Sequence, residues 1–230
     1  MTVFSRVLID SRRRSAARVL ASLERQHAVI ARALDPDSLM RDGVAPRSLW
    51  RLDPGRRGHP CRLYIVSEKT PDMSVLCEQF GVESGDIATC SYDLFLSRLT
   101  CGQEWGFRLK ANPTKSIASG DLSIRGKRTG LLSYDDQLEW LYRKARESGF
   151  HLPINRLEMP EVVVRESRKI NFVRRNSTVT LSSAVYEGVL AVDDPELLRN
   201  ALVSGIGRAK GYGFGLLTLV PLVKNSKQGD

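Results

Sequence analysis

No stretch of this 230-residue chain approaches the roughly 20 consecutive apolar residues that a membrane helix requires. The first ten residues hold a short apolar run, but neither a long apolar region nor a small-residue cleavage site follows. They read as a first strand and not as a signal peptide, and the expected location is the cytoplasm. Cysteine is scarce, and Cys61, Cys77, Cys90 and Cys101 form no C-x-x-C pair. Histidine is scarcer still. His27, His59 and His151 are scattered, with no H-E-x-x-H or zinc-finger spacing, and the carboxylates form no metal-binding signature. The expectation is therefore no metal, no cofactor, and cysteines that are buried free thiols in a reducing compartment.

Positive charge, by contrast, is abundant. Lys and Arg number 35 against 26 Asp and Glu, a net charge of +9. Such a field attracts polyanions, nucleic acid first and an anionic membrane surface second; the bland alternative is a merely basic enzyme. Hydrophobic residues are 42% of the chain, enough for a core, and the length allows one large or two small domains.

Periodicity organises the chain. Residues 2–9 (TVFSRVLI) read as a strand. Across residues 15–34, Ala16, Leu20, Leu23, Ile30 and Leu34 recur at three- and four-residue steps with His27 in the same stripe, which predicts one amphipathic helix. Residues 48–53 and 61–67 read as strands around a Gly/Pro/Arg loop, 70–80 as a helix, and 93–99 as a fourth strand. The order is β-α-β-β-α-β, the ferredoxin-like arrangement. The same order recurs: a strand at 105–111, a helix at 135–148, a long hairpin from 156–172 and 178–192, a helix at 195–203 and a last strand at 214–222. The expected fold class is α+β, two tandem ferredoxin-like (RRM-like) βαββαβ domains over 1–101 and 102–222, with a disordered tail at 223–230.

Three features could carry chemistry. The first is the loop G-I-G-R-A-K-G-Y-G-F-G at 205–215. A dinucleotide fingerprint would need glycine at position 210, which is Lys210, and no Walker A pattern fits. Gly207, Arg208 and Lys210 instead suit close approach of backbone N–H groups and two cations to a phosphate chain. A flexible turn with incidental charges is the alternative. The second feature is three basic clusters. Arg12, Arg13 and Arg14 open the first helix. Arg108, Lys110, Lys115, Arg125, Lys127 and Arg128 lie between residues 106 and 128, and Arg165, Arg168, Lys169, Arg174 and Arg175 lie on the long hairpin. Each alone reads as a solvated face; together they suit a phosphate backbone and carry little sequence information. No RNP1-type aromatic strand supports base stacking on an open sheet. The third is His27, either a core residue of its helix or a proton-exchanging group near neutral pH. Spacing alone does not choose among the histidines.

Several motifs taken together resemble the CasE family, the precursor-RNA endoribonucleases of type I-E CRISPR systems. They are W-R-L-D-P at 50–54, F-R-L-K-A-N-P-T-K at 107–115, Y-E-G-V-L at 186–190 and G-I-G-R-A-K-G-Y-G-F-G-L-L-T-L at 205–219, and the likeness runs from residue 1 to about 222. The resemblance implies tandem ferredoxin-like domains and cleavage of CRISPR repeat RNA beside a stem-loop. It also implies retention of the hairpin product within Cascade alongside other subunits. It assigns the catalytic histidine to His27 and adds Arg25 to the candidate RNA contacts. The family often carries a tyrosine three residues before that histidine, where this chain has Glu24. Arg25 or a residue of the Gly-rich loop is then the candidate substitute. By the same resemblance, the ribose 2′-OH attacks the adjacent phosphate without a metal, leaving a 2′,3′-cyclic phosphate or 3′-phosphate and a 5′-OH. The rival from another class is a non-catalytic RNA-binding subunit that caps the guide-RNA hairpin; a metal-dependent nuclease is the further alternative.

Overall fold

The computed structural model describes residues 1–35, 49–55, 59–117, 127–174 and 177–222. The first sheet comprises β1 (Val3–Ile9), β2 (Leu49–Asp53), β3 (Cys61–Ser67) and β4 (Ile87–Ser91) in the antiparallel order β2-β3-β1-β4. Helices α1 (Arg14–Leu20), α2 (Leu23–Leu34) and α3 (Met73–Phe80) cover one face. Alternation along β1 explains the layering. Val7 and Ile9 enter a core with Leu63, Ile65, Val19, Ile30, Leu76 and Phe80, whereas Phe4 packs against the other side of the sheet.

Two expectations fail in this half. The single helix over 15–34 is two helices. Ser22 is extended at φ −141°, its hydroxyl accepts the Arg25 N–H, and the Gln26 side chain donates to the Leu20 carbonyl at 2.8 Å. A serine that can cap a new helix outcompetes continuation of the old one. The fourth strand is Ile87–Ser91, and part of the segment assigned to it forms a short helix, α4 (Asp93–Leu96). Tyr92, Leu96 and Leu99 are buried, a helical spacing, while the true strand is a largely exposed edge with no hydrophobic signature. The cysteines also depart from expectation. Cys61 is buried and Cys77 half-buried, but Cys90, on that edge strand, and Cys101 are exposed; all four are free.

The second sheet comprises β5 (Glu104–Ala111), β8 (Phe150–His151), β9 (Val162–Arg174), β10 (Ser177–Val192) and β11 (Leu217–Pro221). The order is β11-β5-β10-β8, with β9 also pairing β10. Helices α5 (Tyr134–Glu147) and α6 (Pro195–Ser204) share its core. Both sheets have the strand order of a βαββαβ unit, so the fold is two ferredoxin-like units in tandem. A polar ribbon, β6 (Thr114–Ile117) with β7 (Lys127–Gly130), is an addition that no hydrophobic alternation announces. The hairpin strand expected from 156 starts only at Val162. Before it, the Asn155 side chain accepts the N–H groups of Leu157 and Met159 in a compact loop. The last strand starts at Leu217. Residues 214–216 are pinned instead, with Gly215 donating to the Lys110 carbonyl at 2.7 Å and accepting from Ile206 at 2.9 Å.

Arg51 joins the sheets. It is 2% exposed, and all five of its N–H donors are used. Two meet the Asp53 carboxylate, two the carbonyls of Arg108 and Leu216, and one the Thr218 hydroxyl. A planar fork satisfied from both sheets at once fixes their relative placement. Leu49, Val66, Tyr92, Leu96 and Leu99 complete the seam by packing into the second sheet's core. Among the described residues no helix is long and apolar enough to cross a membrane.

Candidate active site and nucleic-acid interface

The Gly-rich segment crosses the seam. After α6, Gly205 and Gly207 adopt left-handed φ, and a tight 3-10 turn over Lys210–Tyr212 follows, flanked by Ala209 at φ 62° and Gly213 at φ 79°. The turn lies against α2 and β2 of the first sheet. The buried Trp50 donates its indole N–H to the Gly211 carbonyl at 3.2 Å, and Lys210 donates to the Ser204 carbonyl at 2.6 Å. A Cβ on Gly211 would stand 3.4 Å from both Cε1 and Nδ1 of His27. The side-chain direction of Gly211 therefore points at that imidazole, and a Cβ there would already reach van der Waals contact with the ring. The Tyr212 ring lies 5.5 Å from the His27 ring between centroids, and the Phe172 ring, from β9, lies 4.8 Å beyond Tyr212. The imidazole is half-buried, with Nδ1 shielded from solvent.

Among the described residues, two concavities are lined by four or more basic side chains. The first, about 580 Å³, lies between the α1–α2 junction and the second sheet, lined by Arg108, Lys110, Arg168 and Lys169 together with Asp53 and Glu166. Gln26, beside His27 in the chain, also lines it. Its cations are partly compensated: Arg108 pairs with Glu187 and lies 3.3 Å from Asp53, and Arg168 lies 3.9 Å from Glu166. Burial, and then the proximity of Arg168, push the Lys110 amine below the usual lysine range. The second concavity, about 520 Å³, is lined by Lys115, Arg128, Arg143, Lys144, Gly207 and Arg208 with no carboxylate among its lining residues. Arg143 and Lys144 gave no signal in the sequence, because they look like the solvated face of α5.

The other candidates sit elsewhere. Arg12 forms a two-point pair with Asp10 and, by that hydrogen bond first of all, holds the Asp10 carboxyl down at about 2. Arg13 donates to the Gly81 carbonyl behind α3, and Arg14 is exposed at the first turn of α1. Arg25 donates to the Arg18 carbonyl of α1. Residues 25 and 27 stand about 200° apart on a helix, so Arg25 and His27 face different ways. Arg165 is exposed and donates to Glu187. Arg174 ends β9 opposite Ser177, and Arg175, like Arg125, lies outside the described residues. His151 has a partner that spacing did not reveal, Asp193 at 2.7 Å. Tyr212, Phe172 and Trp50 are the residues at the seam that the sequence did not single out as a site. Among the described residues no group of three or more His, Cys, Asp and Glu is placed to hold a metal ion.

Two ferredoxin-like units that meet at a histidine, a glycine-rich turn and two basic concavities describe a protein built to hold a polyanion. A family model described as CRISPR associated protein matches residues 3–221, and the chain belongs to that family. It is 29% identical over 223 residues to the CRISPR-associated endoribonuclease Cse3 of Thermus thermophilus, covering 94% of this chain and 99% of the relative. It is 27% identical over 187 residues to the Cascade subunit CasE of Escherichia coli, covering 76% and 90% respectively. The structure of Thermus thermophilus Cse3 bound to an RNA representing a pre-cleavage complex superposes with a TM-score of 0.78 at 29% identity, over 96% of this chain and 99% of that one.

Proposed function

We propose that this chain is an endoribonuclease that cuts CRISPR repeat RNA beside a stem-loop and keeps the hairpin product as a subunit of Cascade. The observation that carries the reading is the meeting of His27 with the Gly-rich turn beside basic concavities, in a chain whose family membership spans nearly its full length. In this reading the 2′-oxygen attacks phosphorus and the 5′-oxygen leaves. One proton departs the 2′-OH and one arrives at the 5′-oxygen, giving a 2′,3′-cyclic phosphate and a 5′-OH. His27 exchanges a proton through Nε2, since Nδ1 is turned away from solvent. Arg108, Lys110, Lys115, Arg168, Lys169 and Arg208 hold phosphates and offset the charge that builds in the transition state. The division into units 1–101 and 102–222 is part of the proposal, supported by one sheet and its own helices on each side. A role on guide RNA suits a cytoplasmic location.

The test is single-turnover cleavage of a repeat hairpin. His27→Ala should lower the rate about 10²–10⁴-fold while hairpin affinity stays. Cleavage should survive EDTA and stop when the nucleotide 5′ of the cut is 2′-deoxy. Wild-type cutting by His27→Ala would remove His27 from the chemistry. No cleavage by the wild-type protein, with tight binding, would establish the hairpin-capping alternative.

A further inference from the structure

We propose that Phe172 and Tyr212 are positioning residues that tie RNA docked on the β9–β10 hairpin to the orientation of the His27 imidazole. The proposal rests on the reading of His27 as the acid/base group. Three rings from three separate elements stand in a row: Phe172 on β9, Tyr212 on the Gly-rich turn and His27 on α2. Their centroid separations are 4.8 Å and 5.5 Å, with tilts of 53° and 48°. Both separations fall within the range of direct aromatic contact. Phe172 lies two residues before the end of β9 and pairs with Val179 across the hairpin, three residues along the strand from Lys169.

The turn that presents Tyr212 has a defined shape. Ala209 holds a left-handed conformation that L residues rarely adopt. Tyr212 donates its N–H to the Ala209 carbonyl at 2.9 Å, and Trp50 fixes Gly211. The imidazole thus has the side-chain face of Gly211 toward its Nδ1–Cε1 edge and the Tyr212 ring beside it. A proton-transfer group must come within about 2.6–3.2 Å of its proton, and a misplacement near 1 Å costs about 10²-fold in rate. A hairpin that shifts Phe172 on binding RNA moves Tyr212, and Tyr212 sets the tilt of His27. Binding the stem and arming the histidine are then one event.

Five variants test this: Phe172→Ala, Tyr212→Ala, Tyr212→Phe, the double alanine variant and His27→Ala. Thermal melting, hairpin affinity and the single-turnover rate at saturating protein are measured for each. Each single alanine variant should cut about 10- to 100-fold more slowly with affinity nearly unchanged. The pH–rate profile should keep its shape, because the reacting group is the same. Tyr212→Phe should recover most of the rate lost in Tyr212→Ala. The double variant should be no slower than the slower single one, since Phe172 acts through Tyr212. If Tyr212→Ala does not fold, Tyr212→Leu, which keeps bulk without a flat ring, is read in its place. Losses that multiply in the double variant, or wild-type rates in the alanine variants, overturn the coupling. So does a Tyr212→Phe protein as slow as Tyr212→Ala with one limb of the pH profile missing, because the tyrosine hydroxyl would then be reacting directly. Wild-type cutting by His27→Ala is a different failure, that of the proposed chemistry. A slow His27→Ala beside fast ring variants refutes the coupling alone.

Discussion

Gly213→Ala should damage both the fold and the site, by an amount the geometry sets. Gly213 is buried at φ 79°, and a Cβ there would fall 2.6, 2.9 and 3.0 Å from three ring carbons of Trp50. The left-handed backbone costs an L residue about 1–2 kcal/mol. Trp50 is 1% exposed and has no room to retreat, so the overlap adds the usual cost of overpacking a core, about 1–3 kcal/mol. The sum is roughly 2–5 kcal/mol. Gly102 provides the control: its φ is 80°, but nothing lies within 4 Å of where its Cβ would be. Gly102→Ala should therefore cost only the backbone share, about 1–2 kcal/mol. Urea unfolding of both variants measures the difference. The second consequence is functional. If Trp50 yields, its bond to the Gly211 carbonyl loosens and the turn shifts against His27. Gly213→Ala should then cut a bound hairpin more slowly than Gly102→Ala. Equal destabilisation of the two variants would show that the Trp50 contact does not constrain the turn, and the geometric reasoning would fall.

Arg51→Ala should cost about 3–5 kcal/mol, the usual penalty for removing one partner of a buried pair; a loss under about 1 kcal/mol in urea unfolding would mean that the seam does not depend on its fork. Asp10, ordinarily 3.8, is held at about 2, so the folded state favours its charged form. Its contribution is complete above the ordinary value and is lost as pH falls toward 2, and Asp10→Asn should flatten that acid limb of the melting temperature. An unchanged limb would assign acid unfolding to other carboxylates. If the second concavity holds phosphates, Arg143→Ala with Arg208→Ala should reduce the magnitude of the log–log salt slope of hairpin binding by about 1.4–1.8, at about 0.7–0.9 per lost contact. An unchanged slope would take that concavity off the RNA path.

Much of this molecule was legible in local pattern. Alternation marks β1, whose residues Val3, Ser5, Val7 and Ile9 are buried, and Asp72 and Asp194 announce α3 and α6 by capping them. Charge announced a polyanion partner, and five glycines within residues 205–215 announced a backbone that something approaches closely. Where expectation failed, a local signal was missing or pointed the wrong way. The edge strand β4 is exposed along most of its length, the β6–β7 ribbon has no apolar alternation, and Ser22 interrupts a stripe whose spacing barely notices the break.

The site belongs to another level. Trp50 bonds to Gly211 across 161 residues of chain, and Arg51 reaches Leu216 across 165. Periodicity reports which face of an element is buried, but not which distant element buries it. Composition and spacing therefore reached as far as two βαββαβ units, a basic surface and a histidine on an apolar stripe. That His27 is half-exposed beside a glycine-rich turn and an aromatic row, instead of sealed in a core, depends on how two separately patterned sheets dock. Docking is decided by the summed complementarity of side chains far apart in sequence, and no local window contains it.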